Sequence, residues 1–498
     1  MSGAGERRSV IAPKYNVALG GTCIVRVTHS ASYTFSADPS IVMRLSTSIP
    51  VATRALPLLF CLLTGCRKGP PDGVALVGAT LIDGTGGPAL PDAVVVVRRG
   101  RIETVGSGVD FKLPARTVEV SARGRWIIPG LIDSHAHVAR WALPRYLAWG
   151  VTTVRDVHGT LDSILGLRRA VAVGSVLGPR IYSAGAMIDG EPTTYPDALP
   201  ARTGAEARKD VDRLVNAGVD FIKIYTRVDP PLLKAILDEA KTFNLRVSGH
   251  LGLTDAVTAA NDGIGSIEHM SGVPEATVGD PSPLYAAHRQ GFFTGWTAFE
   301  RSWGGLDSAA LERVASELAA RRVTMVPTLV LHDTFSRLDD PAVLQDTMLR
   351  EVPEEEQKRW NVPDMVARAH WTAEEFPEFR RARPSQDLFL RLFQAAGGRI
   401  ATGTDASNQL LIPGFSEHEE MALLVGAGLT ARDALLAATR NGALLLGVDS
   451  LGLIAPGKAA DLVVLKGDPL ADIHNTLSVD RVMIRGRLLS ADSIRAAW

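Results

Sequence analysis

The sequence predicts an α/β protein, a (β/α)8 TIM barrel with a small β-sandwich domain formed by both ends of the chain, and three observations carry that expectation. Residues 130–447 alternate short apolar runs with amphipathic segments, the signature of parallel βαβ units. The strand candidates in that stretch number eight. Short β-like runs also occupy 74–129 and return at 448–498, which suggests one β domain closed by the two termini.

The first of the eight candidates begins after Ile127-Ile128-Pro129-Gly130, an apolar run closed by a turn signal, and reads Leu131-Ile132-Asp133-Ser134-His135-Ala136-His137. The others are 151–155, 180–183, 219–225, 246–250, 266–269, 324–328 and 399–405. Eight βα units imply a barrel whose active site lies at the C-terminal strand ends. Between them, Asp229 before Pro230-Pro231 caps an amphipathic helix with Leu233, Ile236, Leu237 and Ala240 on one face. Ser416-x-x-Glu419 and Thr430-x-x-Asp433 read as the openings of two more. Residues 332–393, between the seventh and eighth strands, are long and charged, with Glu354-Glu355-Glu356 and Arg380-Arg381 among several aromatics. A solvated helical excursion is expected there, with a lid over the barrel mouth as the functional alternative.

The N-terminal part reads differently. Residues 1–42 show no sustained apolar periodicity, and Met43 opens what resembles a second start. Arg44 and Arg54 give a positive region, 55–62 is an apolar run, and Leu63-Thr64-Gly65-Cys66 closes it. The run is shorter than the roughly 20 apolar residues of a membrane span and fits a cleavable signal peptide, with a buried core helix as the alternative. Leu63-Thr64-Gly65-Cys66 resembles the bacterial lipobox. That resemblance implies an acylated Cys66 as first mature residue, a flexible tether over 67–73, and an exported protein lipid-anchored to a bacterial membrane, facing the periplasm, while the second start at Met43 makes 1–42 an expected untranslated or disordered extension.

Composition narrows the partners. The chain is 498 residues long, 46% hydrophobic, with 53 Lys+Arg against 54 Asp+Glu, so there is no overall attraction to nucleic acid. A small-molecule or peptide partner is expected, and a membrane contact only through the anchor. Cys23, Cys61 and Cys66 all precede the barrel, so a metal site must be built from His, Asp, Glu or Lys.

Such a set exists. Along a strand His135 and His137 point to one side with Asp133 behind them, and two neutral imidazoles aimed at one point suit a divalent metal. Alone, His-x-His is equally an ordinary polar strand end. In Phe221-Ile222-Lys223-Ile224-Tyr225 the isoleucines suit the helix-packed outside, which puts Lys223 inside, where a lone ammonium is costly. Carboxylation by CO2 would turn it into a carbamate able to bridge two metals. Gly249-His250, Glu268-His269 and Thr404-Asp405 end three further strands. Six candidate ligands at the ends of five strands point to a metal centre. Tyr225, His158 and Arg155 lie near strand ends and are candidates to bind a substrate carboxylate or oxyanion, a structural role being the alternative for each.

With these motifs, and with Gly457-Lys458-Ala459-Ala460-Asp461-Leu462-Val463 near the end, residues 74–489 resemble the amidohydrolase superfamily, in particular its imidazolonepropionase-like and bacterial Xaa-dipeptidase branch. The resemblance implies two divalent ions, zinc by preference. His135, His137 and Asp405 would hold one, His250 and His269 the other, with carboxylated Lys223 and a hydroxide bridging both. Two cations lower the pKa of the bridging water, polarise the scissile carbonyl and stabilise the oxyanion. Asp405 would take the hydroxide proton and pass it to the leaving nitrogen. Two departures bear on substrate. Imidazolonepropionase itself resembles the chain less well at Lys223. Several dipeptidase relatives carry a glycine-and-histidine turn where this chain has Ile188-Asp189-Gly190-Glu191-Pro192. The expected reaction is cleavage of an amide in a dipeptide or N-acyl amino acid. Hydrolysis of cyclic amides, lactones or esters, and a non-catalytic lipid-anchored binding protein, are the alternatives.

Overall fold

A computed structural model describes residues 71–108 and 110–498. The expected extension, the signal peptide and Cys66 lie outside the described residues, as does the tether up to residue 70. Among the described residues no helix is long and apolar enough to cross a membrane.

The described segments on either side of the central one, 73–129 and 462–490, enter one eight-stranded sheet. Its seam is the antiparallel pairing of Trp126–Pro129 with Leu462–Leu465, in which Ile128 faces Val463 and Ile127 faces Val464. Alternation then divides the seam between two cores. Ile127, Leu462 and Val464 pack with Leu76, Val95 and Met483, whereas Ile128, Val463 and Leu465 turn to the larger core of the central segment.

That central segment is an α/β arrangement in which all sheet pairings are parallel. Leu131–Ala136, Val151–Asp156 and Arg180–Ser183 form one sheet. Ile222–Ile224, Val247–Gly249, Ser266–Glu268, Thr324–Val326 and Arg399–Ile400 form a second, extended by Ile188–Gly190 and Leu199–Ala201, two short strands the sequence pattern does not announce. All eight expected strand positions are occupied, several by only two or three residues. Hydrogen bonds join the sheets at both edges: Asp220 N–H donates to Ser183 O at 2.9 Å, and Ser134 N–H to Thr402 O at 2.9 Å. Ile222 and Ile224 pack into the helix-lined core, as their alternation requires, and leave Lys223 on the inner side.

The helices mostly begin where their caps predict. Asp229 accepts from Leu232 N–H at the start of Pro230–Thr242, and Leu233, Ile236 and Ala240 are fully buried. Thr430 and Asp433 form a reciprocal capping box on Ala431–Leu436. Ser416 differs. Phe415–Gly426 is capped by Gly414, and Ser416 lies inside the first turn, where its hydroxyl donates to Glu419 Oε2 at 3.0 Å. The capping box expected at Ser416 is therefore not formed: the helix begins one residue before it and has no side-chain cap.

The segment 332–393 is helical but is more than a solvated excursion. Phe335, Met365, Trp371 and Phe379 form a buried cluster with Trp296, and Trp371 Nε1 donates to Thr297 Oγ1 at 2.7 Å. Most of its charges face outward while its aromatics bind it to the helix Phe292–Trp303.

Candidate metal centre

Two imidazoles from the first parallel strand converge on one carboxylate oxygen. His135 Nε2 lies 3.0 Å and His137 Nε2 2.9 Å from Asp405 Oδ1. Donor atoms of His135, His269 and Asp405 all lie within 4.8 Å of one another. The rings continue in series, His135 to His269 with centroids 4.4 Å apart and His269 to His250 with centroids 4.6 Å apart. All six expected ligands, Lys223 included, line one cavity of about 670 Å3.

Strict strand alternation alone does not produce this convergence. Glu268 and His269 are neighbours, yet Glu268 bonds to His135 and the His269 ring lies against the same residue. The backbone explains it: His269 has φ 60° and Asp405 has φ 62°. A left-handed residue just past a strand end breaks the period of two and returns the next side chain to the interior.

Beneath the cluster, Glu268 fixes His135. Its Oε2 accepts from His135 Nδ1 at 2.7 Å, so the ring's Nε2 is the nitrogen presented to the cavity. Its Oε1 accepts from Arg155 Nη2 and Ser266 Oγ, each at 2.8 Å, and from Ser248 Oγ. Burial alone would raise the Glu268 carboxyl, but Arg155 and then His135 hold it well below the carboxylate range. Arg155 therefore takes the structural alternative and not the substrate-binding one. It is 2% exposed, stacks on Phe221 at 4.6 Å and donates to Ser134 O, so it supports the centre from below and does not line the cavity.

Burial, reinforced by Lys223 for His250 and by His135 for His269, pushes both imidazoles well below their ordinary pKa. They are neutral, the form that binds metal. Burial likewise raises the Asp405 carboxyl, but His137 and His135 overcome it and hold the group well below its usual range. Lys223 is 2% exposed, its Nζ has no hydrogen-bond partner among the described residues, and burial lowers its pKa to about 8. Four imidazoles, a carboxylate and an orphaned buried amine around one cavity fit divalent, borderline-soft metal ions.

The two other expected substrate contacts do reach the cavity. His158 Nε2 is 2.9 Å from Asp197 Oδ2 and its Nδ1 accepts from Met187 N–H; burial lowers its pKa. The Tyr225 ring lies 4.8 Å from His250 and 5.6 Å from Tyr195. The sequence reading missed Asn408, whose Nδ2 donates to Asp405 Oδ2 at 2.8 Å. It also missed the apolar wall of Phe292, Phe293 and Trp296, for which the only local cue is a Phe pair after Gly291. A second cavity, of about 560 Å3, touches Arg155, Ser248 and Ser266 from the other side and is lined by none of the six.

Comparison with known proteins agrees with this geometry. The profile of the amidohydrolase family matches residues 126–489. An uncharacterised protein of Mycobacterium bovis is 26% identical over 433 residues, 80% of this chain and 94% of that protein. An imidazolonepropionase of a Methylobacterium species is 25% identical over 404 residues, 78% of this chain and 90% of the relative. A solved Xaa-Pro dipeptidase with methionine bound in its active site is similar in fold, with a TM-score of 0.62 over 84% of this chain and 100% of that one at 22% identity, which implies a TIM-barrel-like α/β fold. With the match spanning most of its length, the chain belongs to the amidohydrolase family, and this with its imidazolonepropionase relatives supports an enzyme hydrolysing carbon–nitrogen bonds.

Proposed function

We propose that this protein is a binuclear metal-dependent amidohydrolase that cleaves the amide bond of a dipeptide or N-acyl amino acid. The reading places the centre in a (β/α)8 barrel over residues 130–447, with a β-sandwich domain from 74–129 and 448–498. The observation that carries it is Lys223, a buried amine that has no hydrogen-bond partner among the described residues and lines the same cavity as four imidazoles and Asp405. A solitary ammonium there is costly, and carboxylation turns that cost into an anionic ligand. His135, His137 and Asp405 would hold one zinc ion, His250 and His269 the other, and carboxylated Lys223 would be shared. When bound, the ions supply Lewis-acid activation of the carbonyl and of water.

The remaining work falls to the chain's own side chains. Asp405 would take the proton of the attacking hydroxide on its carboxylate and pass it to the leaving nitrogen as the amide bond breaks, while Asn408 Nδ2 holds Oδ2. Glu268 keeps His135 in one tautomer. His158 and Tyr225 stand where a substrate carboxylate or oxyanion can be hydrogen-bonded, and the aromatic wall keeps bulk water from that side.

The test is made on the Lys223→Met variant. Wild-type protein reconstituted with zinc and 13C-bicarbonate is expected to hold two zinc ions per chain, show a carbamate carbon resonance, and release free amino acid from a library of dipeptides and N-acyl amino acids. The variant is expected to lose the resonance and at least one ion. Two ions retained without Lys223 would remove the bridging role. The same proposal anchors the chain through Cys66, supported by the Leu63-Thr64-Gly65-Cys66 motif. Mass spectrometry of the membrane-associated protein should find an acylated Cys66 at its N-terminus, and any other mature N-terminus would remove the anchor.

A further inference from the structure

The segment 332–393 contributes a charge to the cavity as well as a wall. Arg368 stands in the last turn of the helix Val362–Ala369 and lines the cavity together with Met365. Its guanidinium is steadied from two sides. Nε lies 2.8 Å from Asp364 Oδ2, one turn earlier, and Cζ lies 5.8 Å from the Phe293 ring centroid. The ion pair engages the inner nitrogen of the fork. The outer edge, with its two parallel N–H groups, is the part that grips a carboxylate. With its side chain 63% exposed, Arg368 is not a structural cation of the core.

The other charges around the cavity are already matched or committed. Asp197 is paired with His158, and Asp405 with His135 and His137. Lys223 belongs to the metal set. Beside Arg368 the wall is apolar and broad. Phe292 and Trp296 stand 6.0 Å apart, Phe293 packs edge-on against Phe292 at 5.4 Å, and Phe335 lies 6.0 Å from Trp296. Aromatic walls of this kind take flat or bulky apolar groups, and a small side chain would leave them wet.

We infer that Arg368 of the segment 332–393 and the helix Phe292–Trp303 together make the site selective for an amide whose amine half is an amino acid with a free carboxylate, held by Arg368, and a large apolar or aromatic side chain, packed against Phe292, Phe293 and Trp296. In a dipeptide or an N-acyl amino acid that carboxylate is always on the amine half, so one released product carries both features. The inference rests on the proposed reaction for its direction, but the pocket can be tested without turnover.

Calorimetric titration of the zinc-loaded full-length chain with L-phenylalanine, L-phenylalaninol and glycine separates the two contributions, because the second ligand lacks the carboxylate and the third lacks the ring. L-Phenylalanine is expected to bind at least tenfold more tightly than either. Arg368→Met should bring it to the affinity of L-phenylalaninol, and Arg368→Lys should restore part of the difference. Three ligands within threefold of one another, an unchanged preference in Arg368→Met, or no binding of any of them would overturn the inference. A retained preference with no amino acid released from any library member would remove the proposed reaction and leave the pocket standing. Release of amino acid without the preference would do the reverse.

Discussion

Asp405→Asn is expected to lower kcat by roughly a thousandfold, within the 10²–10⁴ range of a positioned acid–base group, while leaving the fold intact. Asn has nearly the same shape, and it is among the few residues that tolerate a left-handed backbone, which this position requires at φ 62°. The loss would therefore be chemical. Asp405 Oδ1 faces two imidazole Nε2 atoms and Oδ2 accepts from Asn408 Nδ2. An amide can offer an oxygen to only one of these sides, and it cannot carry the proton. Steady-state kinetics on the zinc-loaded variant, with metal content measured alongside, provides the check. Wild-type turnover at full metal content would remove Asp405 from the proton transfer.

Glu268→Gln should have the largest effect on stability, about 3–5 kcal/mol, the cost of breaking a buried ion pair by removing one partner. Against a total of about 5–15 kcal/mol, that is enough to threaten folding. Glu268 is fully buried and serves four donors: Arg155, His135, Ser248 and Ser266. Gln would leave the Arg155 guanidinium without its counter-charge and would turn an N–H toward a donor. Urea denaturation at neutral pH reads the difference, and Arg155→Met added to Glu268→Gln should recover part of it. The pH dependence has a definite sign. The folded-state pKa of Glu268 is depressed, so its contribution is full above the unfolded-state value of about 4.3 and is lost only as pH falls through the lower folded value. The gap between wild type and variant should therefore hold at neutral pH and narrow in acid. An equal gap across that range would mean that the ionised carboxylate is not what stabilises the fold.

How much of this was legible in the sequence follows from the range of the interactions. The eight strand positions and six ligand candidates could be read because each rests on a local signal, an apolar run ending in a chemically distinctive residue. The partnership of Glu268 with His135 and Arg155 could not, since it joins three different strands through side chains far apart in the chain. The two roles left open for Arg155 could not be separated for the same reason: proximity to a strand end does not say whether a side chain rises to the cavity or turns beneath it. The outward charges of 332–393 suggested a solvated face, while its Trp and Phe positions lack the regular period that would have announced a wall. His269 and Asp405 reach the centre through left-handed residues that no alternation rule foresees.

The seam between Trp126–Pro129 and Leu462–Leu465 joins segments from opposite ends of the chain, and this bears on how the protein comes to be folded. Until the last part of the chain has been synthesised, Ile127 and Ile128 form an unpaired apolar edge immediately before the strand that carries His135. An edge of that kind invites pairing with other chains, and long-range strand pairing is slow. The last-made strand of the seam therefore acts as a closing clasp. A chain cut short before Leu462 would keep every candidate metal ligand in its sequence, yet leave the strand leading into the first two paired on one side only, with Gly73–Leu81.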